Sequence, residues 1–274
     1  VAAGIALLTV LAHQPASADW RKDLGTFRIG VVAEPGAGNA ISGLTVLTQA
    51  YSAALGMPVR FFVARDYPAL IEAQVEGRVD YAVYSATAYA IAAVRCGCVE
   101  PLVAPTDADG AVGIRSVLVT RDSRVGSPAD MAQRRVALGP PDSVAASLVP
   151  LADLAAAGVE DVSSQPFLRR AASAEDAERM LQAGTVDAVF GWERAHRSPR
   201  IPPQPPGGTV ARLVSAGIPA SALQVVWRSD VLRYGPHAVR SDLDAQAKRR
   251  LVAFLIDLKA RAPEVYGLIE RNHA

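Results

Sequence analysis

The residues best equipped for chemistry are two cysteines one residue apart, in Arg95-Cys96-Gly97-Cys98-Val99. In an exported protein such a pair usually joins as a disulfide. A bridge across one residue closes a very small, strained ring, and strain makes it easier to reduce. Two other states remain open: free thiols, or a pair holding a thiophilic centre, since soft sulfur selects soft partners. Two sulfurs are too few for a tetrahedral zinc site without further ligands. Catalytic patterns are missing elsewhere: there is no Gly-x-Ser-x-Gly, no His-Glu-x-x-His and no P-loop. The histidines His13, His196, His237 and His273 are scattered without metal-ligand spacing. Trp192-Glu193 follows an apolar run, where it can hydrogen-bond in a cleft or pack. Asp80 and Asp187 open apolar runs and suit turn-ordering better than chemistry. A non-enzyme without a cofactor is expected.

Short apolar runs alternate with helical patterns along most of the chain. Strands are expected at 27–33, 59–64, 79–84, 99–104, 114–120, 135–138, 162–168, 186–190 and 223–227. Helices are expected at 40–55, 66–76, 87–95, 143–157, 174–183 and 242–262. Gly56, Gly77, Gly158 and Gly184 supply stops, and Asp66 and Ser173 supply caps. The alternation argues an α/β fold with mainly parallel sheets. The Pro202–Gly208 stretch reads as a loop. One correspondence organises the whole: Gly77-Arg78-Val79-Asp80 and Gly184-Thr185-Val186-Asp187 each separate a helix from a buried strand ending in an aromatic. Two lobes built on that unit place their strand ends at equivalent edges. Ligands of open parallel sheets bind outside the carboxyl ends of the strands, and facing lobes close by a hinge.

Residues Val1–Ala12 are uncharged and almost wholly apolar, and Ala16-Ser17-Ala18 follows. This is the pattern of a secretory signal peptide cleaved after Ala18, its charged leader missing. The run is too short to span a bilayer. The net charge of +1 and 50% hydrophobic residues suit a globular exported protein. Nucleic acid would want a basic face, and single strands an aromatic platform; neither is present.

Gly30-Val-Val, Asp66-Tyr67-x-Ala69-Leu70-Ile71-Glu72-Ala73, Gly77-Arg78-Val79-Asp80-Tyr81-Ala82, Arg115-Ser116-Val117-Leu118-Val119 and Asp142-Ser143 with Pro150 and Leu154-x-x-x-Gly158 resemble the phosphonate/phosphite/phosphate-type periplasmic binding proteins. The resemblance covers roughly residues 27–260. It implies a two-lobed type II periplasmic-binding fold, each lobe a mainly parallel sheet flanked by helices. Lobe one is expected at 19–120 with 210–274 returning to it, and lobe two at 121–209. It further implies a monomeric receptor that captures a small oxyanion for an ABC permease. Family members hold the anion with hydroxyls and backbone N–H groups at helix N-termini, where the helix dipole is positive. The matching positions are Tyr84, Ser85 and Thr87 in the first lobe and Asp142 and Ser143 in the second, with Ser116, Trp192 and Glu193 as further candidates.

Two departures bear on the ligand. Where the family usually reads Ser-Thr-Ser-Gly, this chain has Ser143-Val144-Ala145-Ala146. Asp142 would also repel a dianion unless paired, which favours a less charged ligand. Tyr81-Ala-Val-Tyr84-Ser85-Ala-x-Ala-Tyr89 followed by Cys96-Gly97-Cys98-x-Glu100-Pro101 is similar to the arsenite-binding sensors of the same superfamily. That resemblance implies arsenite at Cys96 and Cys98 and a histidine kinase as partner. The helix after Ser85 carries the cysteines roughly 13 Å from the cleft at the helical rise.

Overall fold

The computed structural model describes residues 19–34, 40–107, 109–127, 130, 134–158, 165–197 and 207–270. The expected signal segment and most of the 202–208 loop lie outside them, as do residues 162–164 of the strand expected at 162–168. Among the described residues no helix is long and apolar enough to cross a membrane.

The chain builds two sheets. In the first, β1 (Phe27–Val32), β2 (Val59–Ala64) and β3 (Tyr81–Val83) run parallel, linked by α2 (Leu44–Leu55) and α3 (Tyr67–Val75). A short α1 (Trp20–Leu24) precedes them, and α4 (Ala86–Cys96) leads from β3 to β4 (Val99–Val103). The second sheet holds β5 (Ala111–Thr120), β6 (Val136–Leu138), β7 (Leu168–Arg170), β8 (Ala188–His196), β9 (Gln224–Arg228) and β10 (Leu232–Arg233). Its helices are α5 (Val149–Ala156), α6 (Ala174–Gln182) and α7 (Thr209–Ser215). The chain then returns as β11 (His237–Arg240), antiparallel between β3 and β4, and ends in α8 (Ala245–Arg261) and α9 (Pro263–Glu270). Strand order is β2-β1-β3-β11-β4 in one sheet and β10-β5-β8-β6-β7 in the other, with β9 also on β5.

Both sheets are buried on two faces, which explains the nearly continuous apolar runs. Phe27, Ile29 and Val31 face the core under α2, α8 and α9, while Ala82 and Tyr84 face the core under α3 and α4. In the second sheet Val117, Val119 and Val189 face α6 and α7, and Leu118 and Phe190 face α5. Gly30 lets the helix layer approach closely: a Cβ there would lie 2.5 Å from Leu70 Cδ1 and 2.8 Å from Val79 Cγ1, so those side chains would have to shift.

The repeated Gly-x-Val-Asp turns have identical wiring. Asp80 accepts the Arg28 backbone N–H at 2.8 Å and pairs with the Arg28 guanidinium, which also donates to the Gly77 carbonyl at 2.7 Å. Asp187 does the same with Arg135 and the Gly184 carbonyl, at 2.8 Å and 3.1 Å. The aspartates thus order turns, each anchored to the first residues of the neighbouring parallel strand.

Residues 111–120 and 224–233 lie in the second sheet, so the chain crosses at 104–110 and 234–236. The strands concerned are antiparallel returns: β5 pairs with β8, β9 and β10. Their apolar character shows burial but not which partner supplies it. These returns make the second sheet mixed, and β11 does the same in the first, with a parallel part left in each.

Candidate functional site

At the carboxyl end of β3 the chain turns through Tyr84 and Ser85 into α4. Ser85 is extended at φ −71° and ψ 160°, and its Oγ accepts the Ala88 N–H at 3.2 Å. The N–H groups of Ala86 and Thr87 belong to the first turn, which has no intrahelical acceptors and carries the positive end of the helix dipole. Thr87 is exposed there. The phenol of Tyr67, from the first turn of α3, lies against Ser85. Burial raises its pKa, and the Ser85 hydroxyl and N–H offset part of the rise. Tyr84 is wholly buried, its hydroxyl has no hydrogen-bond partner among the described residues, and burial holds its pKa well above the usual value. The second crossing seals this junction. Pro236 O accepts the Tyr84 N–H at 3.1 Å, and a Cβ on Gly235 would lie 1.8 Å from Tyr84 O.

The second sheet builds its own version after β6. The helix expected at 143–157 is not uniform: a π-helical turn, Val144–Leu148, precedes α5. Pro150 is the reason. It has no N–H to give to the Ala146 carbonyl four residues back, and that carbonyl accepts the Gly139 N–H at 3.0 Å instead. The Ser143 carbonyl takes both the Ser147 and Leu148 N–H groups, each at 3.0 Å. Ser147 Oγ donates to Gly139 O at 2.8 Å, and Arg170 donates to Ser147 Oγ at 3.1 Å. Ser143 caps the turn, its Oγ accepting the Ala146 N–H at 3.2 Å. Asp142 beside it is exposed. The result is a second serine-capped helical N-terminus, bolted to the end of a parallel strand, with a guanidinium close by.

The other candidates fall into two groups. Ser116 is wholly buried and its hydroxyl donates to the Ala145 carbonyl, so it positions the π turn. It pairs in register with Trp192, whose N–H donates to Thr209 Oγ1 at 3.1 Å and whose ring lies 5.3 Å from the Arg212 guanidinium. Glu193, 7% exposed, accepts Arg228 Nε at 2.7 Å. Ser116 and Glu193 are therefore already engaged by protein groups. Cys96 and Cys98 stand apart at the far end of α4 and are joined to each other as a disulfide, so neither is a thiolate in this structure. Sequence reasoning missed Tyr67, Arg170, Gly139 and Gly235. Only Pro150, interrupting a helical pattern, carried a readable signal of the π turn.

The profile of the periplasmic substrate-binding protein of phosphonate ABC transporters matches residues 29–273. The phosphate-import protein PhnD of Mycolicibacterium smegmatis is 26% identical over 225 residues, 78% of this chain and 66% of that protein. The chain thus spans just under two-thirds of that relative's length. Among solved structures, a Xanthomonas citri protein bound to chloride ion aligns at TM-score 0.53 and 16% identity, over 91% of this chain and 88% of that one. A binding-protein component of an ABC phosphonate transporter from Pseudomonas aeruginosa aligns at TM-score 0.42 and 22% identity, over 90% and 78%.

Proposed function

The chain belongs to the family of periplasmic substrate-binding proteins of phosphonate ABC transporters, and from that premise we propose that it captures a small oxyanion of the phosphonate, phosphite or phosphate type and presents it to a permease. The reading takes the body around the first sheet (19–103 with 237–270) and the body around the second (111–233) as two lobes that close on the ligand about the two crossings. It takes the working protein to be a periplasmic monomer.

One observation carries the proposal. Each sheet sends one parallel strand, β3 or β6, into a serine-capped helical N-terminus, at Ser85 and at Ser143. Such termini attract anions through free N–H groups and the helix dipole. The hydroxyl of Tyr84, the residue before Ser85, has no partner among the described residues and is taken as a further donor. The Mycolicibacterium relative is named for phosphate import, which is the same ligand class. Asp142 beside Ser143 favours a monoanion, since a second negative charge there raises the Coulomb repulsion.

Calorimetric titration with phosphate, phosphite and methylphosphonate tests this. One of them should bind one-to-one. Ser85→Ala and Tyr84→Phe should each weaken it about tenfold or more, as for hydrogen bonds to a charged group. Asp142→Asn should tighten the dianionic form. Melting curves of the same variants separate lost binding from a lost cap. No heat with any of the three, or unchanged affinity in both variants, would remove the oxyanion reading.

A further inference from the structure

We propose that the Cys96–Cys98 disulfide is a reversible redox site, one that exchanges with a dithiol while the rest of the chain stays folded. The bridge joins residues only two apart. Chain-entropy stabilisation grows with the loop a disulfide closes, so this one contributes as little as a disulfide can. The backbone on both sides is held without it. The Gly97 N–H caps α4 on Ala93 O at 2.8 Å, and Cys98 O accepts the Ser241 N–H at 2.8 Å.

Access is open. Both cysteines are partly exposed, and Gly97 between them, at φ +58°, has nothing within 4 Å of where a Cβ would stand. The surroundings of Cys96 Sγ suit both redox states. The Cys98 N–H donates to it at 3.1 Å, which stabilises a departing thiolate, and the Ala92 carbonyl lies 3.4 Å away, ready to accept from a thiol. The thiolate of an external dithiol attacks Cys98 Sγ, and the S–S electron pair leaves on Cys96 Sγ. The second thiol of the reagent then attacks its own sulfur in the mixed disulfide and releases Cys98. Both cysteines take up protons. The chain gains two electrons, and the dithiol is oxidised to its disulfide. Nothing in this step depends on the oxyanion reading.

The experiment equilibrates the full chain in mixtures of reduced and oxidised dithiothreitol, quenches with acid, and counts maleimide tags by mass while far-UV circular dichroism is followed in parallel. Two tags should appear together with an unchanged spectrum. The reduced protein and a Cys96→Ser/Cys98→Ser double variant should both melt within about 5 °C of the oxidised protein, as the short loop implies. Tags that appear only as the spectrum collapses, or a larger fall in melting temperature in both forms, would make the bridge a structural staple and overturn the proposal.

Discussion

Gln74 shows how a single residue can sit against the grain of its surroundings. It is wholly buried in the apolar layer between α3 and the first sheet, and neither its Oε1 nor its Nε2 has a hydrogen-bond partner among the described residues. An unsatisfied buried amide costs about 1–3 kcal/mol. Gln74→Met keeps the volume and removes the polar atoms. It should raise stability by about 1 kcal/mol and the melting temperature by about 2–4 °C, with oxyanion binding unchanged. A lower melting temperature would mean that the amide is satisfied in solution. Tyr84 has the same orphan character among the described residues, and the residue after it, Ser85, caps α4. If it serves as a ligand donor, Tyr84→Phe should lower affinity without lowering stability.

At the scale of elements, the two Gly-x-Val-Asp turns share their wiring but differ in burial, and this predicts unequal costs. The Asp80 side chain is 3% exposed against 28% for Asp187. Asp80→Ala takes the buried acceptor from the Arg28 backbone N–H as well as the partner from its half-exposed guanidinium, and should cost about 2 kcal/mol. Asp187→Ala, in a solvent-screened pair, should cost about 1 kcal/mol or less. Urea melts of the two variants decide this. The pH dependence has a definite sign. The hydrogen bond from Arg135 holds the Asp187 carboxyl below its ordinary value, so its contribution is complete above the unfolded pKa of about 3.9 and is lost as pH falls through the lower folded value. Asp187→Asn should flatten the acid limb of the stability curve below about pH 4. The repeat itself was legible from spacing. Its arginine partners, Arg28 and Arg135, were not, because each comes from a neighbouring strand about fifty residues earlier.

For the whole molecule, the consequential contact is between the second crossing and the β3–α4 junction. Gly235 lies against the backbone of Tyr84 and Ser85, 1.8 Å and 2.7 Å from an added Cβ. Backbone atoms cannot rotate away as a side-chain tip can. Gly235→Ala should therefore push the crossing off the site, lowering stability by about 1–3 kcal/mol and weakening ligand affinity as well. Gly267→Ala, in α9 with nothing within 4 Å, is the control and should leave both intact. Loss of stability without loss of affinity would uncouple the crossing from the site. The crossings also touch each other, through the Tyr234 hydroxyl donating to Asp107 at 2.6 Å.

By itself the sequence determined the α/β class, most element positions, the caps Asp66 and Ser173 and the internal repeat. All of these depend on neighbours in the chain: hydrophobic period, a cap three residues from its N–H, a glycine after a helix. Tertiary structure alone decided the allocation of β5, β9 and β10 to the second sheet, because antiparallel partners are chosen by burial across distant segments. It also decided that Ser116 and Glu193 face protein groups, and that Gly235 rests on Tyr84. Those outcomes depend on which surfaces meet once the layers close, and the order of residues along the chain does not encode that distance directly.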